Sequence, residues 1–241
     1  MLLRQKTGLG VQVYQHVRQL LLDGALHVDA AMPIDAIAED LGVSRQPVMD
    51  AVRRLALEGF VTITPQVGSF PRRYSVQEMV DFYKLFAEAE CVCVQLACER
   101  ADAGHIRQLK AISAEIGQLA TSRLGKVELA REYRRLNQRF HSEIHSLIQS
   151  AALAEATEVM GDLSDFMVAT AEAPIFLERL KVAHKEHQAL IAAIETRDAT
   201  TAVSVMRQHV RAISERIAKV GKLRVTADDA EGTGRKVSRR G

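Results

Sequence analysis

The sequence predicts a mainly α-helical protein of two domains, an N-terminal winged helix-turn-helix and a C-terminal all-helical bundle. Residues 34–70 read as a short helix, a glycine turn, a longer helix and a β-hairpin, whereas residues 76–220 show helical periodicity without strand-like alternation. A chain of 241 residues is long enough for a small module plus a second domain with its own core. We therefore expect domains at 1–73 and 74–221, followed by a disordered basic tail at 222–241.

The first half of the 34–70 segment carries the signals of two helices joined by a tight turn. Pro33 suits the first turn of the short helix, since its missing N–H is not needed there. Gly42 stands where that helix should end, and Ser44 is a good N-cap for the next helix. The apolar residues of both helices recur at helical spacing: Ile34, Ile37, Ala38, Leu41, Val48, Ala51, Val52 and Leu55.

The longer helix leaves a polar face, and a predicted wing follows it. Gly59 ends the helix, Phe60–Thr64 is rich in β-formers, and Ser69–Phe70 returns after a turn. Periodicity alone leaves open a plainer interpretation, a small helical subdomain with a solvated charged face. The more exposed residues of the helix are Arg45, Gln46, Met49, Asp50, Arg53 and Arg54.

The run LGVSRQPVMDAVRRLALEGFVTITPQVGSF, with VYQHVRQLLLDGAL before it, resembles the GntR family of bacterial transcription regulators over about residues 9–73. The resemblance implies binding to double-stranded operator DNA, with residues 44–58 in the major groove. By that resemblance Arg45 contacts guanine, and Arg53 and Arg54 contact phosphates. Met49 replaces the usual arginine of the family, so a DNA contact is lost there. Further candidates for DNA contacts are Ser44, Gln46, Gln66 and Ser69.

Charge and composition bound the setting in which such a domain works. The formal net charge is +2, but residues 44–73 carry five arginines against two acidic residues, which predicts one basic surface on a near-neutral body. A single small patch binds DNA weakly, so we expect a homodimer on two half-sites. The sequence has no apolar run of membrane-spanning length and no signal-peptide pattern. We therefore expect no membrane partner and a cytoplasmic location.

Residues 76–220 divide into six predicted helices with short breaks between them. Ser75 and Glu78 predict a capping box at the start of the first. Cys91, Cys93 and Cys98 all lie in that helix, and an odd number so placed predicts reduced, buried thiols rather than disulfides. The predicted helices are Val76–Ala101, His105–Ala120, Lys126–Ser150, Leu153–Ala173, Ile175–Thr196 and Ala199–Val220.

Three histidines on different helices stand among apolar neighbours in this region. Asn137 and His141 are four residues apart and share one helix face, while His187 and His209 belong to the last two helices. Three imidazoles and an amide oxygen that converge inside a bundle would suit a divalent ion such as zinc, nickel, iron or manganese. Spacing leaves open the plainer interpretation that each histidine is a hydrogen-bonded core or surface residue.

The runs LNQRFHSEIHSL and EHQALIAAIETRDATTAVSVMRQHV resemble the FCD ligand-binding domain, which marks the FadR subgroup of the GntR family. The resemblance covers roughly residues 76–220. Carried over by position, it implies that Asn137, His141, His187 and His209 are the metal ligands. The commonest family residue at the first position is aspartate. Asparagine keeps a ligand oxygen but loses a negative charge, so weaker metal binding is implied.

The same resemblance implies a small carboxylate effector held partly by the metal. The family often places an arginine four residues before the glutamate of the first helix, but here the glutamate is Glu90 and that earlier position is Phe86. Arg134, Arg135 and Arg139 lie on the helix of His141 and are the candidates to bind the effector instead. A solvated arginine face is the plainer alternative.

Together these features predict a ligand-responsive transcription regulator, a repressor whose helical domain alters operator affinity, and no enzymatic activity. Two alternatives stay open. In one, the helical domain only dimerises. In the other the protein is a metalloenzyme, because HSEIH at 141–145 superficially matches a zincin helix, although Ser142 replaces the glutamate that would activate water. His145 and His184 could also compete as metal ligands.

Overall fold

The computed structural model describes the backbone of residues 8–171 and 175–237, and the side chains of residues 8–171 and 179–220. Within those ranges the chain forms nine helices and one antiparallel β-hairpin. The predicted fold class, mainly α with a small wing, is therefore confirmed. Of the helices described, none is both long and apolar enough to cross a membrane.

The observed elements follow the predicted order. They are α1 (Leu9–Leu22), α2 (Ile34–Asp40), α3 (Arg45–Leu57), β1 (Val61–Thr64), β2 (Gly68–Pro71), α4 (Val76–Arg100), α5 (Ala103–Leu119), α6 (Lys126–Ser146), α7 (Ala151–Thr170), α8 (Ile175–Glu195) and α9 (Ala199–Val237). Helix α9 continues past its predicted end at Val220. The predicted break at Pro174 lies outside the described residues, and so do the side chains of the tail at 222–241. The break and the disorder of the tail therefore remain predictions.

One compact unit comprises Met1–Tyr74 together with Asp162–Thr170 of α7. Helix α3 packs against α1 and α2, and the apolar positions predicted for it are buried. Strands β1 and β2 pair so that Val61 lies opposite Pro71. The ring of Phe60 meets that of Phe166 edge-on, with centroids 5.5 Å apart. This core fixes the orientation of α3 and leaves its polar side in solvent.

The other unit comprises Ser75–Gly161 and Ala171–Gly241. Helix α9 packs against α4 and α8, and α8 also contacts α5 and α6. The predicted capping box at Ser75 and Glu78 is present at the start of α4. The three cysteines of α4 are free and buried, as predicted. Helices α4, α6, α8 and α9 supply the polar groups of the interior site.

Candidate DNA-reading helix and metal centre

Helix α3 presents polar side chains to solvent, and neighbouring acidic residues hold them. The Nη1 atom of Arg45 donates to both carboxylate oxygens of Asp35, at 2.6 and 2.7 Å. Gln46 and Arg53 both donate to Oδ1 of Asp50, at 2.8 Å each. The side chains of Arg45 and Asp35 are 63% and 71% exposed. Exposed ion pairs contribute little to stability, so these groups can exchange a carboxylate for a phosphate or a base edge at small cost.

Arg54 is anchored more firmly than the other arginines of α3. Its Nε donates to Oε1 of Glu58 at 2.9 Å, and its guanidinium lies 4.0 Å from the ring centroid of Tyr14. The hydroxyl of Tyr14 donates to Oε2 of the same glutamate at 2.6 Å. Burial, together with this hydrogen bond, raises the pKa of Tyr14. Arg54 is thus tied to α1 through Tyr14 while most of its side chain stays exposed.

Three other predicted DNA contacts lie in different surroundings. Ser44 is the extended residue before α3, but its side chain makes no capping hydrogen bond. Gln66 lies at the tip of the wing with a φ of 64° and an exposed side chain. Ser69 is buried inside the wing, and its carbonyl accepts a hydrogen bond from the N–H of Met32 at 2.8 Å. Of the two wing candidates, Gln66 is the one whose side chain faces solvent.

The structure brings together the three histidines that the sequence singles out. The ligating atoms of His141, His187 and His209 all lie within 4.8 Å of one another. His187 is fully buried, and its ring stacks on Phe140 with centroids 4.2 Å apart. Neither ring nitrogen of His187 has a hydrogen-bond partner, and the buried Oδ1 of Asn137, one turn before His141, also has none. Unpartnered buried polar atoms are costly, and a cation bound by one ring nitrogen of His187 and by Oδ1 of Asn137 would give both of those atoms a partner.

Two carboxylates orient the outer histidines of this cluster. Oε2 of Glu90, on α4, accepts a hydrogen bond from Nδ1 of His141 at 3.0 Å. Oε2 of Glu186 accepts one from Nδ1 of His209 at 2.7 Å. Each bond fixes the tautomer that keeps the proton on Nδ1 and leaves the Nε2 lone pair for a metal, an arrangement common behind metal-bound histidines. The donor set therefore fits a divalent ion.

Burial and neighbouring charges set the protonation of the cluster. Burial, reinforced by His209 and His141, places the pKa of His187 well below its ordinary value. Burial also lowers the pKa of His209, although the hydrogen bond to Glu186 opposes that shift. Burial alone would raise the pKa of Glu186, but His209 and Arg179 outweigh it and the pKa is lowered. Neutral imidazoles next to ionised carboxylates are the protonation states that metal binding requires.

A second group of three, Glu90, His141 and His145, also has its ligating atoms within 4.8 Å of one another. Here the atoms are already satisfied, because Nε2 of His145 lies 2.8 Å from Oε1 of Glu90 and His141 takes the other oxygen. Burial would lower the pKa of His145, but hydrogen bonding with Cys93 and Glu90 raises it to about 10. A proton therefore already occupies this second group, whereas the group around His187 still has unpartnered atoms.

The arginines predicted to bind an effector lie in different places. Arg134 is buried, and it precedes His141 by two turns, which places both on one face of α6. Arg139 is exposed and donates to Glu115 at 3.0 Å. It also lines an open groove of about 770 Å³ beside α5. Arg135 is exposed and pairs with Glu132. Only Arg134 shares the helix face of the metal-ligand candidates.

Several residues of this site are absent from the sequence prediction. Glu186, Arg179 and the pairing of Glu90 with His145 are not among the predicted site residues. One local signal existed, since Arg179 and Glu186 are seven residues apart and so lie two turns apart on one face of α8. The contact between Glu90 and α6 has no such signal, because it joins helices far apart in the chain.

Comparison with known proteins identifies both units. The family model of the FCD domain matches residues 81–212, and that of bacterial regulatory proteins of the gntR family matches residues 9–70. The Nta operon transcriptional regulator of Aminobacter aminovorans is 26% identical over 79% of this chain and 85% of its own length. The HTH-type transcriptional repressor GlaR of Escherichia coli is 24% identical over 82% of this chain and 90% of its own length.

Solved structures show the same fold. Escherichia coli McbR/YncC superposes with a TM-score of 0.73 at 19% identity, over 90% of this chain and 99% of that protein. A GntR regulator from Rhodococcus sp. RHA1 gives 0.69 at 18% identity, over 87% and 97% respectively. The gntR family and the two curated relatives described above are transcription regulators, which removes the metalloenzyme alternative. The chain belongs to the GntR family of bacterial regulatory proteins and carries an FCD domain, so it is a DNA-binding transcription regulator and not an enzyme.

Proposed function

We propose that this protein is a ligand-responsive repressor in which the FCD domain binds a divalent metal and a small organic acid that alters operator affinity. The observation that supports it best is the set of unpartnered buried atoms at His187 and Asn137, next to two other imidazoles. A purely structural dimerisation domain would gain nothing from burying such atoms without partners.

The proposed metal ligands are Asn137, His141, His187 and His209. Imidazole nitrogen with one amide oxygen suits zinc, nickel, iron or manganese. Four protein ligands leave positions free when the ion prefers more than four, and a carboxylate can take them. When bound, the metal supplies positive charge for that carboxylate. Arg134, buried on the same face of α6, is the proposed second contact for the acid.

For DNA reading we propose a homodimer that places two copies of α3 in successive major grooves. Arg45 is the proposed base contact, with Gln46 and Arg53 beside it and Gln66 on the wing. Two copies double the number of phosphates neutralised, which a chain of net charge +2 needs for useful affinity. Such a regulator acts where the chromosome is, in the cytoplasm.

The proposed direction of control is that the effector lowers operator affinity. Several relatives are named as repressors, among them the GlaR protein described above and a probable D-xylose utilisation operon repressor of Paenarthrobacter nicotinovorans. A ligand shifts a conformational equilibrium only as far as it binds one arrangement better than the other. The effector must therefore bind more tightly to the arrangement that has low affinity for the operator.

Metal binding is tested by thermal unfolding after chelation, with zinc, nickel or manganese then added back. At least one of these ions should raise the melting temperature, since a ligand that binds only the folded state stabilises it. His187→Gln should abolish the rise. His184→Gln is the matched control, because His184 lies on the same helix and packs against Gly117 but belongs to neither group of converging ligand atoms among the described residues. No rise with any ion would favour the purely structural dimerisation domain.

The effector is sought by adding small carboxylates to metal-loaded protein in the same assay. An acid that raises the melting temperature is then titrated into the protein bound to a duplex selected by this protein from a random library. We expect the acid to weaken DNA binding. Tighter binding would reverse the proposed sign of control, and no effect from any stabilising acid would contradict effector regulation.

A further inference from the structure

Each carboxylate that accepts a hydrogen bond from a histidine of the cluster also pairs with a second, positively charged side chain. Glu90 uses Oε2 for His141 and Oε1 for His145, at 3.0 and 2.8 Å. Glu186 accepts from His209 at 2.7 Å and from Nη2 of Arg179 at 2.8 and 2.7 Å through its two oxygens. A carboxylate between a histidine of the cluster and a cation thus occurs twice, on helices α4 and α8.

These cations lie where they can act on the cluster. The side chain of Glu90 is fully buried and that of His145 is 10% exposed, while Arg179 and Glu186 are 11% and 13% exposed. Solvent screens such buried or nearly buried pairs much less than surface pairs. Solvent therefore weakens little the interaction of these positive charges with Glu90 and Glu186.

A carboxylate behind a metal-bound histidine normally raises metal affinity, because its negative charge makes the imidazole more basic. Here one cation neutralises each of those negative charges. Asn137 removes a further charge, since its side chain is neutral where a carboxylate ligand would be anionic. A divalent ion that enters this site therefore meets two carboxylates whose formal charges are cancelled by two cations.

We propose that His145 and Arg179 hold the affinity for a divalent ion low, and the ion exchangeable, by neutralising Glu90 and Glu186. The inference rests on the proposed metal site and adds two residues that contact no metal and act through others. Both are positioning residues. Metal occupancy would then follow the supply of the ion, and an anionic ligand that brings its own negative charge would increase it.

The protonation states agree with the geometry. Hydrogen bonding with Cys93 and Glu90 outweighs burial and keeps the pKa of His145 at about 10, so the ring is a cation at neutral pH. Burial would raise the pKa of Glu90, but His141 and His145 outweigh it and hold that pKa below its usual range.

The test measures zinc affinity at neutral pH by competition with a chromophoric chelator, using the full chain. Arg179→Met and His145→Gln each uncover one carboxylate, so each variant should bind zinc about tenfold more tightly or better, the scale typical of changes to groups behind metal ligands. Arg179→Lys keeps the charge and should retain the affinity of the unchanged protein. Lys110→Met is the matched control, since it removes a cation from the exposed Lys110–Glu195 pair.

A second measurement covers variants that fold poorly without metal. A buried carboxylate without its cation destabilises the metal-free protein, and zinc restores the balance. The zinc-induced rise in melting temperature should therefore be larger in His145→Gln and Arg179→Met than in the unchanged protein. An unchanged or weaker affinity, or equal tightening in Lys110→Met, would overturn this inference alone. If the unchanged protein binds no divalent ion, the proposed metal site fails and this inference fails with it.

Discussion

Helix α3 and the histidine cluster both carry groups that suit a charged partner, but their surroundings differ. On α3 the arginines are exposed and already paired with acids such as Asp35 and Asp50. In the cluster the candidate ligands are buried, and His187 and Asn137 hold atoms without partners. An exposed pair can exchange one partner for another with little change in stability. A partner that binds a buried, otherwise unpartnered group instead contributes to the stability of the fold.

Of the substitutions considered, the largest effect is expected from one on α3, and it is a loss of DNA binding. Arg45→Ala should abolish sequence-specific DNA binding and leave folding intact, because each bidentate contact to guanine contributes about 1–3 kcal/mol and a dimer makes it twice. Fluorescence anisotropy against a selected duplex and a shuffled one measures the loss. Arg139→Ala is the control, since Arg139, like Arg45, is exposed and paired with a carboxylate, that of Glu115. Retained preference for the selected duplex would contradict the assigned role of Arg45.

The next largest effect is expected from a substitution in the histidine cluster, and it is a change in metal affinity. Asn137→Asp should tighten metal binding by about tenfold or more, because it adds a negative charge at a proposed ligand oxygen without changing the shape of the side chain. A chelator competition measures the affinity. If the affinity stays the same, the oxygen of Asn137 does not touch the ion, and its lack of a partner needs another explanation.

The buried histidines should also make the stability of the metal-free protein depend on pH. His187 and His209 have lowered pKa values in the folded state, so below about pH 6.5 the unfolded chain takes up protons that the folded chain does not. The metal-free protein should therefore lose stability as pH falls through that value. The contribution of His145 has the opposite sign and is lost progressively as pH rises from about 6.5 to about 10. Urea unfolding in the presence of chelator measures this, and His187→Leu should flatten the dependence.

The smallest effect is expected on stability, from substitutions of Ser44 and Ser75, each of which directly precedes a helix. Ser75→Ala removes a complete capping box and should cost about 1 kcal/mol. Ser44→Ala removes no capping bond and should change stability by less than about 0.5 kcal/mol, while any DNA contact of its hydroxyl would still be lost. Equal destabilisation in urea unfolding would mean that Ser44 has a capping role like that of Ser75.

Local sequence predicted the elements well because their causes are local. The order of helices and wing, the capping box at Ser75 and the burial of the cysteines all follow from periodicity and turn residues. Ser69 illustrates the limit. Its place on the wing is readable from the sequence, but whether its side chain faces solvent depends on the register of β2, which places it inside.

By itself the sequence determined the class of protein, because its family motifs are local runs of residues, and the same motifs supplied the proposed reading helix and the four proposed metal ligands. Only the tertiary structure decided which groups stand behind those ligands. Glu90 reaches His141 and His145 from a helix about fifty residues earlier in the chain, at separations of 51 and 55. Such contacts depend on how helices pack, and no periodicity along one helix encodes them. The charge around the cluster, and with it the proposed affinity for a metal, therefore depends on how the helices of the bundle pack.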